Sequence, residues 1–462
     1  MVTEKAGRIR TNNCPDRVAQ GRPRPGARGM LPVRKPLAGR KQSLASEEAS
    51  CNFRVNWSDQ GESFMPTPIR WTRTAAVIIA VSFLAVVAAP CVAQAQKPPE
   101  YKVDPFWPKR LPNKWSMQQI VDIYVDKEDH VWVINRASDA RPDELGASTT
   151  PPRTECCVVG PEIVEFDTDG SVLRAWGGKD YVPGWPGRLQ TLGVDRDENV
   201  WISGTMPGDS IIKFNKDGKF LWDFGHRGPK VPASEVKQNN QQTDIFPPGI
   251  AAFEFDEEAR ELYIPDGFLN KRVLVYDMDT GAFKRGWGGK GTPLSEIDND
   301  PTPPYDPSGP PPDQKMFAPA LHCAHPSKDG FVYVCERGSD RIQVFTKQGK
   351  YVKEFWIHPS TQSRGPHCGS IWSMTDAPCG TIYNLTLSTD PQQKYILVAD
   401  GTNNMVWILN REDGALAGSF GGNGRYAGQL HWIDSIAMDS KGNVYTGEVE
   451  DGKRIQKFVP AK

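Results

Sequence analysis

The segments LGVDRDENVWISG, IYVDKEDHVWVIN, HPSKDGFVYVCER and IAMDSKGNVYTGE share one pattern. Each reads as an apolar strand, a short polar turn and a second strand that carries an aromatic residue. Further strand pairs have the form IIKFNKDGKFLWDFG, VLVYDMDTGAFKRGWG, IQVFTKQGKYVKEFW and VWILNREDGALAGSFG. Turns such as DGFLNKRV, RGSDRI and DGTNNMV join the two pairs, so each unit is four short strands with turn residues at regular places. Glycine (43) and proline (40) are scattered along the 462 residues, as many turns require. No long segment carries the 3.6-residue apolar period of a helix. A recurring four-stranded unit predicts an all-β chain folded as a β-propeller. Six units are read, at about 118–178, 185–225, 246–289, 317–356, 380–421 and 430–459. The last has three strands of its own. YKVDPFW, at 101–107, is read as its fourth, so that an N-terminal strand closes the ring and pairs an edge that would otherwise stand open.

The repeat resembles NHL repeats. Over about 100–460 the chain is also similar to the lyase domain of peptidylglycine α-amidating enzymes and its bacterial relatives. The resemblance is carried by VDIYVDKEDHVWVINR, by YIPDGFLNKRVLVYD with RGWG, and by DSIAMDSKGNVYTGE. It implies a carbon–nitrogen lyase that dealkylates peptidyl α-hydroxyglycine. A non-catalytic propeller that binds a peptide, glycan or protein is the alternative, because one fold serves both purposes.

The start of each inner strand is expected at one mouth of the central channel, at a position counted back from the first turn. Five residues before Asp195 lies Gln190, five before Ser327 lies His322, and five before Asp439 lies Asp434. The same count gives Val121, Ala251 and Tyr383 in the other units. Gln190, His322 and Asp434 belong to alternate blades, so they are expected to converge as a triangle able to hold one metal ion with a position left for water or substrate. The amidating lyases place three zinc-binding histidines in this way. Here only His322 is a histidine, and the more oxygen-rich set brings manganese or calcium in as alternatives to zinc. Polar residues that only bind channel water are the plainer reading. The resemblance assigns Arg136 to the active site, as an anchor for a substrate carboxylate. Phe268 stands where the family has a tyrosine proposed as base, and phenylalanine cannot exchange a proton. Tyr383 is the phenol that could replace it.

The run RWTRTAAVIIAVSFLAVVAAPCVAQAQ reads as a signal peptide at 65–95, with AQA as its cleavage site. A membrane anchor, or a lipoprotein attached at Cys91, are the other readings. Residues 1–64 show no strand or helix period and are read as unstructured or as a mis-called start. The domains expected are therefore this extension, the signal peptide and a propeller at 96–462, exported to a periplasmic or extracellular space. Beyond residue 95 the chain carries 41 Lys and Arg against 50 Asp and Glu, which argues against a nucleic-acid partner. The expected partner is a small peptide or other small molecule at the mouth of a monomer with no membrane span after cleavage. Six cysteines remain there. Cys323 and Cys335 face each other across a hairpin, Cys368 and Cys379 bracket an insertion, and Cys156 and Cys157 are adjacent, so disulfides are expected beside the alternative of free thiols. The long connections at 137–161, 226–246, 290–316 and 357–379 leave from the mouth face and are read as walls of a ligand pocket, or as plain linkers.

Overall fold

The computed structural model describes residues 98–461, except 206–209, 225–236, 247–248, 301, 303–305, 307, 309–313, 365–367 and 369–378. The expected extension at 1–64 and signal peptide at 65–95 lie outside these residues, as do parts of the connections 226–246, 290–316 and 357–379. Among the described residues no helix is long and apolar enough to cross a membrane.

Six four-stranded antiparallel sheets form a six-bladed propeller. Blade 1 comprises Gln119–Val125, Val131–Arg136, Ile163–Phe166 and Val172–Trp176. The inner strands of blades 2 to 6 are Arg188–Val194, Glu254–Asp256, Leu321–Pro326, Asn384–Leu387 and Ile433–Met438. In blade 6 the outer strand is Tyr101–Asp104, antiparallel to Arg454–Pro460 with Val103 opposite Phe458. The N-terminal strand therefore closes the ring, as the sequence predicts.

The repeating turn has a physical cause. The first turn aspartate accepts backbone N–H groups two and four residues on through one oxygen, which holds the tight turn. Asp126 does this with Glu128 and His130, Asp195 with Asp197 and Asn199, and Asp439 with Lys441 and Asn443. The other oxygen takes a side-chain N–H or O–H from the following strand: Trp132 at 2.9 Å, Trp201 at 2.9 Å and Tyr445 at 3.1 Å. An aromatic residue can thus be buried with its polar atom satisfied, which explains why the aspartate and the aromatic travel together. In blade 4 Ser327 replaces the aspartate, and its hydroxyl bonds to the backbone of Phe331.

In blades 3, 4 and 6 the far end of the hairpin is pinned by ion pairs. Arg272 with Asp266 at 2.7 Å and Arg341 with Glu336 at 2.8 Å are fully buried pairs linking the second and third strands of blades 3 and 4. Arg454 and Glu448 do the same in blade 6 at 2.7 Å. Removing one member leaves an uncompensated buried charge, whereas replacing both by apolar groups is far cheaper. Arg341→Ala is therefore expected to destabilise the propeller by roughly 3–5 kcal/mol in denaturant unfolding, with Arg341→Met/Glu336→Leu recovering most of that loss.

Candidate functional site

Gln190, His322 and Asp434 share one backbone feature. Each is the unpaired residue of a β-bulge at the start of its inner strand, between Leu189 and Thr191, Leu321 and Cys323, and Ile433 and Ser435. A bulge breaks the ladder and re-aims the extra side chain. Blade 1 has a wider irregularity, with Val121 and Asp122 between the paired residues Ile120 and Ile123. There the Asp122 carboxylate accepts the backbone N–H of Leu192 at 3.0 Å and so ties blade 1 to blade 2.

Two arginines, one from blade 1 and one from the opposite blade 4, meet these residues. Arg136 ends the second strand of blade 1. Its guanidinium donates to the Gln190 Oε1 at 2.5 Å and to the Leu189 carbonyl at 2.9 Å, and lies 3.4 Å from Asp139. Burial lowers its pKa to about 10, against the pull of Asp139 and Asp434, so it stays charged near neutrality. Arg337 follows the second strand of blade 4. One of its nitrogens is 3.3 Å from His322 Nε2, and its guanidinium lies over the Tyr383 ring, 4.8 Å from the centroid. The His322 ring also packs against Tyr383 and Phe268, with centroids 5.6 and 5.9 Å apart. Burial, and then Arg337, hold the His322 pKa well below that of free histidine, so the ring is neutral.

Asp434 is 9% exposed and receives no hydrogen bond from a described residue. Burial raises its pKa to about 6, against the attraction of Arg136 and Arg337, while Glu450 adds repulsion. Tyr383 is buried with its hydroxyl 3.4 Å from the Cys379 carbonyl. Burial raises its pKa, which keeps the phenol protonated and makes its ring a platform for Arg337.

This donor set fits a divalent cation only in part. His322 is neutral and Asp434 has no hydrogen-bond partner among the described residues, so both suit a cation. Gln190 Oε1 is already held by a guanidinium, and two arginine charges stand beside the other two ligand atoms. The arrangement suits the opposite charge as well: two cations, one fixed from each side of the mouth, can attract a carboxylate among largely buried side chains.

Arg337 is not among the site residues read from the sequence, although its signal is present. RGSD at 337–340 repeats RASD at 136–139, at the same place in the blade. Asp139 and Arg188 also join the group, because Asp139 accepts from Arg188 at 2.6 Å as well as facing Arg136. The 137–161 connection lies over this side. It pairs Val158–Val159 with Trp115–Ser116 and is latched to blade 6 by Arg141–Asp451 and Glu144–Lys453. All six cysteines beyond residue 95 are paired, as Cys156–Cys157, Cys323–Cys335 and Cys368–Cys379.

No protein-family model matches the chain. It is 24% identical over 313 residues to NHL repeat-containing protein 3 of Mus musculus, covering 65% of this chain and 73% of that protein. The Homo sapiens protein of the same name is 24% identical over 315 residues, with the same coverage. Among solved structures, the WD40 β-propeller domain of Doa1 aligns at a TM-score of 0.42 and 12% identity, over 79% of this chain and 98% of that one.

The Asp434 carboxyl gives a test with a definite sign. Its pKa is raised in the folded chain, so its contribution to stability is complete below the ordinary carboxylate value near 4 and is lost as the pH rises through about 6. Asp434→Asn removes that ionisation penalty. Its stability relative to the unchanged protein is expected to rise by roughly 3 kcal/mol between pH 4 and pH 8 in chemical unfolding. A difference that does not move with pH places the titration elsewhere.

Proposed function

We propose that the mouth of this NHL-type propeller binds the carboxylate of a small peptide-like ligand between Arg136 and Arg337, and that its chemistry is lyase-like. The observation that carries this reading is the pair of guanidinium groups from opposite blades, with one buried carboxyl, Asp434, in the field of both. A carboxyl that titrates at about 6 is a proton acceptor poised near neutral pH. In a peptidyl α-hydroxyglycine, Arg136 and Arg337 would hold the terminal carboxylate. Asp434 would take the proton of the α-hydroxyl as the carbonyl forms and the carbon–nitrogen bond breaks. The proton returned to the departing nitrogen completes a peptide amide and glyoxylate. Asp434 would thus supply the basic group that Phe268 cannot. Pairing of the six cysteines supports an exported protein, since disulfides persist in oxidising compartments.

A second reading rests on neutral His322 beside Asp434, which favours a divalent cation held by these two residues. Such an ion would polarise a substrate oxygen. Elemental analysis separates the two readings: about one equivalent of metal, lost in His322→Ala, supports the ion, and a metal-free protein that still turns over supports the arginine–carboxyl centre.

Glyoxylate release from an N-acylated phenylalanyl-α-hydroxyglycine tests the chemistry. The expected result is turnover that falls at least about a hundredfold in Asp434→Asn, as for loss of a general base. Binding of this peptide with no glyoxylate released leaves a binding propeller and ends the lyase reading.

A further inference from the structure

A cavity of about 780 Å³ lies at the mouth end of blades 1 and 2, beside the site just described. Ala137 and Ser138, which directly follow Arg136, form one wall, and Pro183, Trp185 and Gly187 form another. Glu162, just before the third strand of blade 1, also lines it. This glutamate is only 5% exposed and accepts the Trp185 indole N–H at 2.5 Å. No described lysine, arginine or histidine forms an ion pair with it. In the groove between blades 4 and 5, Arg411 is paired with Asp329 at 2.7 Å, and Lys353 donates to the Arg411 and Glu412 carbonyls. The buried carboxylates at Asp266, Glu336 and Glu448 each have an arginine.

A buried carboxylate is costly unless a cation completes it. Here the cavity leaves space for a cation beside Glu162; Lys179 and Asp180 also line it, and no ion pair joins Lys179 to Glu162. Burial pushes the Glu162 pKa up, against the N–H bonds from Trp185 and the Ser138 backbone and the attraction of Arg136. An indole beside a carboxylate, in a pocket walled in part by small residues and proline, accommodates the charge and the alkyl stem of a slender cation.

We propose that this cavity is a subsite for a primary ammonium or guanidinium group, held by Glu162 against Trp185. A ligand that also reaches the neighbouring arginines would be basic at one end and carboxylate-bearing at the other. Neither Asp434 nor His322 lines the cavity, so its occupancy does not depend on the chemistry at the mouth.

The test is calorimetric titration of the purified protein with agmatine, with cadaverine, and with 1,5-pentanediol as the neutral control. Glu162→Gln keeps an oxygen for the Trp185 N–H and removes only the charge. Ser138→Trp fills the cavity and leaves Glu162 in place. The expected result is saturable one-to-one binding of at least one cation and none of the diol, at least tenfold weaker in Glu162→Gln and lost in Ser138→Trp. Thermal unfolding establishes that each variant is folded, and either folded variant alone suffices. No saturable binding of either cation, or binding that survives in a folded variant, overturns the assignment.

Discussion

Everything at the mouth depends on ring closure. Four residues from the N-terminal side, Tyr101–Asp104, pair with residues 457–460 at the C-terminal end and complete blade 6. The contact is also apolar: Tyr101 packs on Phe420 at 4.9 Å, and Phe420 on Phe458 at 4.8 Å, which joins blade 5 to the closed blade. Only a closed ring brings blade 1 beside blade 6 and opposite blade 4. Asp434 is on blade 6, Arg136 on blade 1 and Arg337 on blade 4, so the charges that tune Asp434 come from residues about 300 and 100 positions earlier in the chain. Closure is the constraint, and the convergence of these groups is its result.

Inside that ring the molecule treats charge in two ways. Away from the mouth, several buried charges are paired within a blade, as in Arg272–Asp266 and Arg341–Glu336, where they fix the turn between strands. At the mouth the accounts are left open. Asp434 is near two guanidiniums without a hydrogen bond to either, and Glu162 is held by N–H groups without an ion pair among the described residues. Paired charges of the first kind specify geometry, whereas incompletely matched buried charges of the second kind are candidates for binding sites, because a ligand can complete them. The bulges at Gln190, His322 and Asp434 belong to the same economy. Each gives up ladder pairing at one residue and gains a side chain aimed away from the sheet.

The propeller was legible because its signals are local. The turn aspartate and its aromatic partner are six residues apart, as Asp195–Trp201 and Asp439–Tyr445, so one short pattern announces each hairpin. Counting back from that turn found Gln190, His322 and Asp434 because the bulge recurs at a fixed offset. The count was less informative in blade 3, where the inner strand is only Glu254–Asp256 and Ala251 precedes it. Tyr383 lies just before its strand, yet its N–H bonds to the Ala399 carbonyl and its ring reaches His322. Arg337 escaped notice because it lies in the link between strands, where turn composition dominates the pattern. Glu162 was hidden for a different reason: it follows the 137–161 insertion, and its partner Trp185 is 23 residues away. Pairings of that kind are made by the fold and leave no periodic trace.

The most direct measurement is the affinity of the purified protein for N-acetyl-Phe-Gly and for the same dipeptide with its C-terminus amidated, each in the unchanged protein and in Arg337→Gln. The two ligands differ only in the carboxylate. If Arg136 and Arg337 form a carboxylate clamp, the acid binds at least about tenfold more tightly than the amide, in keeping with one charge-assisted hydrogen bond, and Arg337→Gln removes most of that preference. Equal affinity for acid and amide, or a preference that Arg337→Gln leaves intact, would contradict the account.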